Sequence, residues 1–76
     1  MIGKALKYMR NQKQLNQENL SKLVNIGRTT LSDYEREKTD INFDTIENIA
    51  KICGYKIYFD NGKERFTIKD LERKDI

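Results

Sequence analysis

The chain has 76 residues, a formal net charge of +3, no His, no Pro and one Cys, Cys53. No soft-metal site and no internal disulfide can be built from that set, no cofactor is expected, and the length confines it to one small domain. No window approaches the ~18 apolar residues of a membrane span. Met1-Ile2-Gly3-Lys4 lacks the apolar run of a secretory signal, so a soluble cytoplasmic protein is expected, and one thiol fits a reducing compartment.

Charge is unevenly spread. Residues 1–38 hold eight bases (Lys4, Lys7, Arg10, Lys13, Lys22, Arg28, Arg36, Lys38) against four acids (Glu18, Asp33, Glu35, Glu37), a balance of +4. Residues 39–76 hold seven against eight, a balance of −1. A basic front half suits a polyanion.

In chain order, Ile2, Ala5, Leu6 and Met9 repeat at i, i+3, i+4, i+7, so 2–13 reads as an amphipathic helix with Lys4, Lys7 and Arg10 off its apolar side. Asn16 is a suitable N-cap for a second helix, 17–24, with Glu18 in its first turn and Leu20, Leu23 and Val24 turned inward. Asn25 tolerates the left-handed conformation and ends that helix. Gly27 starts a third, 28–36, with Leu31 and Tyr34 as its buried positions, and Asn42 caps a fourth that ends at Gly54. Phe43, Ile46, Ile49, Ala50 and Cys53 line one side of this fourth helix, where Cys53 reads as a small buried side chain.

Beyond Gly54 the period falls from 3.6 to 2. Two alternating runs, Tyr55–Asp60 and Lys63–Ile68, flank Asn61-Gly62, which predicts a hairpin on a two-residue type I′ turn. That loop sets Phe59 opposite Glu64, Tyr58 opposite Arg65 and Ile57 opposite Phe66. One face then carries Tyr55, Ile57, Phe59, Phe66 and Ile68. Residues 69–76 read as a charged tail, with Thr67 and Asp70 able to cap one short turn.

The block from Leu15 to Arg36 is the informative one. Two short helices are joined by a tight turn: Ser21 is small where they cross, Asn25 makes the bend and Ile26 pins it. The second helix begins with side chains that reach base edges, namely Arg28, Thr29, Thr30 and Asp33, which is the plan of a helix-turn-helix.

From about Ile2 to Gly54 the chain resembles the lambda repressor/Cro family of XRE-type regulators. The resemblance rests on Leu15, Gln17 and Leu20, on Arg28-Thr29-Thr30-Leu31-Ser32-Asp33-Tyr34-Glu35-Arg36, and on Phe43-Asp44-Thr45-Ile46 through Cys53-Gly54. Two positions depart from the pattern: Asn25 stands where the family usually has Gly, and Gly27 where it usually has Ser or Thr. The resemblance implies a mainly α fold, a four-helix lambda-repressor-like DNA-binding domain (1–54) followed by a β-hairpin (55–68). It implies base contacts by Arg28, Thr29 and Asp33 with Thr30 and Ser32 at the margin, phosphate contacts by Asn16, Gln17, Arg36, Lys38 and Asn42, and a structural ion pair of Arg10 with Glu35. Arg28 suits guanine O6/N7, the Thr29 methyl suits thymine, and Asp33 either accepts from a cytosine amino group or orients Arg36 or Arg28. Lys4, Lys7 and Lys13 read as a solvated face, and the Tyr58–Arg65 pair as sheet decoration rather than a nucleotide platform.

A two-stranded ribbon is marginal alone, so Tyr55, Ile57, Phe59, Phe66 and Ile68 are expected to form a homodimer interface that spaces two recognition helices one DNA turn, ~34 Å, apart. The expected function is a transcriptional regulator, a repressor, on a palindromic operator in double-stranded DNA. The alternative is an antitoxin that binds a toxin protein and regulates its own operon, since the ending Cys53-Gly54-Tyr55-Lys56-Ile57-Tyr58-Phe59 looks like the HipB type. Catalysis is not expected, because neither a nucleophile–base pair nor a phosphate-binding glycine loop occurs.

Overall fold

A computed structural model describes residues 1–72. Helices α1 (Ile2–Gln12), α2 (Gln17–Val24), α3 (Arg28–Glu35) and α4 (Phe43–Ile52) are followed by the strands β1 (Phe59–Asp60) and β2 (Arg65–Phe66) and by α5 (Ile68–Glu72). The architecture is the mainly helical, lambda-repressor-like one with a small C-terminal hairpin.

The helix boundaries follow from local chemistry. Asn16 Oδ1 accepts from Asn19 N at 2.7 Å and Asn42 Oδ1 from Thr45 N at 2.8 Å, each satisfying an amide that the first turn leaves orphaned. Glu18 and Asp44 lie in those first turns, favourable for the helix dipole. Asn25 closes α2 with φ 61 and ψ 46. Ile26 N then reaches back to Ser21 O at 3.0 Å, the closure a left-handed cap permits.

Leu6, Leu20, Leu31 and Ile49, one from each of α1 to α4, are fully buried at the centre, with Met9, Val24, Ala50 and Cys53 around them. Burying each of the large four contributes about 1.5–3 kcal/mol. Burial also pushes the Cys53 thiol up from its ordinary value, which keeps it protonated and inert.

The apolar stripes are narrower than the periodicity implies. Ile2 and Ala5 on α1, Leu23 on α2 and Phe43 on α4 are exposed, and Tyr34 is only half-buried. Gly3 is buried instead, because α1 crosses the end of α3 there. A Cβ at Gly3 would stand 2.4 Å from Glu35 O and 2.9 Å from Tyr34 O. Gly3 N also donates to Glu37 Oε2 at 3.0 Å, and the Met1 amine pairs with the same carboxylate. Glu37, held at φ 60, thereby caps α1 from across the fold and has its carboxyl held below the ordinary range by the amine and the Gly3 N–H.

The hairpin corrects the expected register. Phe59 pairs with Phe66 and Asp60 with Arg65, so the pairing is slipped by two residues and residues 61–64 form the loop. A type I′ turn needs positive φ at both central positions, but Gly62 has φ 88 while Asn61 is not left-handed. Side chains shape the loop instead: Asp60 accepts from Gly62 N at 2.7 Å, and Asn61 from Lys63 N and Glu64 N, both at 2.9 Å. The slip is rewarded by ring contacts. Phe59 stacks on Phe66 at 5.3 Å and meets Phe43 at 6.0 Å, whereas the expected register sets Phe59 against Glu64. Arg65 still covers the Tyr58 ring, at 4.6 Å, although the two are not paired residues.

The ladder is also shorter than expected. Tyr55 and Ile57 precede β1 outside any strand, Ile57 packs against the core, and Ile68 is helical. Thr67 and Asp70 form a reciprocal capping box, with Thr67 N donating to Asp70 Oδ2 at 2.9 Å and Asp70 N to Thr67 Oγ1 at 3.3 Å. That box stops β2 at Phe66 and starts α5. The expected charged tail is therefore helical as far as Glu72, and its remainder, 73–76, lies outside the described residues.

Candidate nucleic-acid interface

α3 owes its position to contacts on both neighbours. Leu31 is its fully buried anchor, and α1 and α2 both pack against it. The opposite side carries Arg28, Thr29 and Thr30, all exposed, with Ser32 and Asp33 half-buried beside them. Gly27 precedes the helix in extended conformation (φ −70, ψ 150) and has no side chain with which to cap it.

The far end of α3 is locked electrostatically. Arg10 Nε donates to Glu35 Oε2 at 2.6 Å and its Nη2 to Glu35 Oε1 at 3.0 Å, a two-pronged contact between side chains only 10% and 3% exposed. Arg10 Nη1 also donates to Leu15 O at 2.9 Å, and Gln17 Nε2 to Glu35 Oε1 at 3.1 Å. One carboxylate thus ties α1, the α1–α2 loop and the start of α2 to the end of α3. Burial opposes the charge on Glu35, but the hydrogen bonds from Arg10 and Gln17 outweigh it and hold the carboxyl below its ordinary value. The Glu35 bonds raise Arg10 in turn.

The Gln17 contact has no signature in the sequence, where Gln17 reads as a phosphate ligand alone. Its second amide hydrogen and its oxygen remain for other contacts. Asn16 and Asn42, both exposed, commit their oxygens to capping, which leaves their amide N–H groups as the donors they can offer to a phosphate. Arg36 and Lys38, both exposed, continue the basic rim beyond α3. Arg36 Nη2 donates to Asp33 Oδ1 at 3.2 Å, and Lys38 N donates to the backbone oxygen of Asp33 at 2.9 Å. The C-terminal group is divided: Tyr55 and Phe59 are exposed, while Ile57, Phe66 and Ile68 are half-buried.

Physically, the arrangement is a rigid ridge of donors and methyl groups with cations at its margins and its inner carboxylate neutralised. A major groove accepts such a ridge, and phosphates suit the margins. Among the described residues no group of His, Cys, Asp and Glu is placed to hold a metal ion, and no helix is long and apolar enough to cross a membrane.

Comparison with known proteins agrees with the geometry. A helix-turn-helix family model matches residues 6–59. An immunity repressor protein of Bacillus phage phi105 is 29% identical over 81 residues, covering 99% of this chain and 56% of that protein. The HTH-type transcriptional regulator ImmR of Bacillus subtilis (strain 168) is 31% identical over 78 residues, covering 99% of this chain and 61% of that protein. The chain therefore spans about three-fifths of the length of these curated relatives. No solved structure matches it. With α2, the Asn25 turn and α3 built as described and the family model covering most of its length, the chain belongs to the XRE-type helix-turn-helix family.

Proposed function

We propose that the chain is a sequence-specific transcriptional regulator, a repressor, which places α3 in the major groove of double-stranded DNA and binds a roughly palindromic operator as a homodimer. The observation that carries this reading is the two-sided construction of α3: Leu31 buried and Glu35 pinned within, Arg28, Thr29 and Thr30 free without. The names of the two relatives, one a repressor and one a transcriptional regulator, support it. Arg28 and Thr29 contact bases, with Thr30, Ser32 and Asp33 beside them, while Asn16, Gln17, Arg36, Lys38 and Asn42 hold phosphates.

For the dimer the relevant surface is the aromatic row Phe43, Phe59 and Phe66, with the exposed Tyr55 and Tyr58 elsewhere on the same C-terminal region. Phe43, Tyr55, Tyr58 and Phe59 are each at least 38% exposed. In the proposed dimer a second copy lies against this row, covers Phe43 and Phe59, and presents a second α3 to the other half-site.

Selection of bound duplexes from a random pool, followed by salt titration, tests the reading. The expected result is a sequence with two related half-sites and a logarithmic salt slope equivalent to several phosphates per subunit. A chain that prefers no duplex at moderate ionic strength contradicts it.

A further inference from the structure

The side of α4 that faces away from the core carries Asp44, Glu47, Asn48 and Lys51, spaced i, i+3, i+4, i+7, opposite the buried Ile49 and Ala50. They form the floor of a groove of about 650 Å3, walled by residues 55–58 and by α5. Asp44, Asn48 and Lys51 are exposed, and Glu47 is half-buried. Glu47 and Lys51 have the i, i+4 spacing at which opposite charges pair within a helix. Yet among the described residues none of Asp44, Glu47 and Lys51 forms an ion pair.

Small-molecule sites are lined mostly by apolar groups. A floor of charge beside exposed rings has instead the make-up of a protein interface, with an aromatic centre and a polar margin. Phe43, next to Asp44 on the same helix, joins this stripe to the aromatic row assigned above to the dimer.

The order of the charges identifies the occupant. Over about 10 Å of α4 the stripe runs from acid, Asp44 and Glu47, to base, Lys51. Such a surface is complementary to its own copy turned about a two-fold axis. With the axis between Glu47 and Asn48, two antiparallel α4 helices set Asp44 against the partner's Lys51 and Glu47 against the partner's Asn48, each contact occurring twice. A parallel arrangement sets carboxylate against carboxylate.

We propose that this stripe of α4 docks on the same stripe of a second copy, and that the two Asp44–Lys51 pairs fix the two-fold register of the dimer. The aromatic row supplies the apolar area, and the charges supply orientation and exclude surfaces that do not match. This inference rests on the homodimer reading above.

The test is sedimentation equilibrium of the 76-residue chain and its Asp44→Lys and Lys51→Asp variants, alone and mixed in equal amounts, with circular dichroism confirming that each is folded. The wild type is expected to dimerise, less tightly as salt rises. Each charge reversal sets two like pairs in its own homodimer and weakens it about tenfold or more. Lys51→Asp lowers the net charge of +3 by two, so general repulsion predicts the opposite result for that variant. The equal mixture regains nearly wild-type association, because the mixed dimer sets opposite charges together at both sites. Reversals that leave the dimer intact, or that weaken it without recovery on mixing, overturn this inference and leave the aromatic-row dimer standing. A wild type that sediments as a monomer at every concentration overturns the homodimer reading and this inference with it.

Discussion

Residues 1–54 and residues 55–72 are held in different ways. In the first region the helices are fixed from several sides at once: α2 and α4 by asparagine caps, each of the four by a fully buried aliphatic, and α1, α2 and α3 by the Arg10–Glu35–Gln17 cluster that ties them together. The second region is held by a two-pair ladder, one row of rings and the packing of Ile57 on the core, and two of those rings, Phe43 and Phe59, stay about two-fifths exposed. The difference matches the demands that the proposed function makes. A reading helix misplaced by an ångström misses its bases, whereas an association surface is completed by its partner.

Breaking the brace on α3 should have the largest effect. Glu35→Gln or Arg10→Ala leaves a buried group without its charge partner and should cost about 3 kcal/mol, read from denaturant unfolding. Because the folded carboxyl titrates below its ordinary value of 4.5, its stabilisation is fully present above that pH and is lost as pH falls through the lower folded value. Stability of the wild type should fall in that acid range, and Glu35→Gln should flatten the dependence. Gly3→Ala comes next. Alanine favours a helix by about 1 kcal/mol, but here its Cβ collides with Glu35 O, so a net loss of about 1–2 kcal/mol is expected.

The C-terminal region should answer differently. Phe59→Asp should remove a ring contact worth about 1 kcal/mol, lower the melting temperature by several degrees, and convert a sedimenting dimer into a monomer with weakened operator binding. A dimer that persists in this variant contradicts the assignment of the aromatic row. The smallest effect is expected at Gly27, where a Cβ meets Thr30 Oγ1 at an ordinary 3.6 Å. Gly27→Ser should add a capping acceptor and a few tenths of a kcal/mol, measured by thermal melting.

The same contrast explains what could be read from the sequence. α1 to α4 were legible because caps and periodicity agree: Asn16, Asn25, Gly27 and Asn42 fall where the apolar repeats start and stop. Ile2, Ala5, Leu23 and Phe43 read as core in the sequence because a 3.6-residue stripe includes its own flanks, and sequence alone does not say how wide a neighbour's footprint is. Gly3 was missed because its reason lies on α3, more than thirty residues away. The hairpin's existence was legible from Asn61-Gly62, but its register was not. The turn signal is local, and the contact that overrode it joins Phe59 to Phe66 and to Phe43 on another element. The outward residues of α3 stood out through their side-chain chemistry, while the commitment of Gln17 to Glu35 depends on how α2 and α3 meet.

The most direct measurement compares Arg28→Ala with Lys38→Ala on the selected duplex and on a random one, at several salt concentrations. The account predicts that Arg28→Ala lowers affinity for the selected duplex by about tenfold or more while leaving random binding nearly unchanged, and that Lys38→Ala weakens both alike and reduces the salt slope by about one. Equal losses on both duplexes for Arg28→Ala would contradict the claim that α3 reads bases.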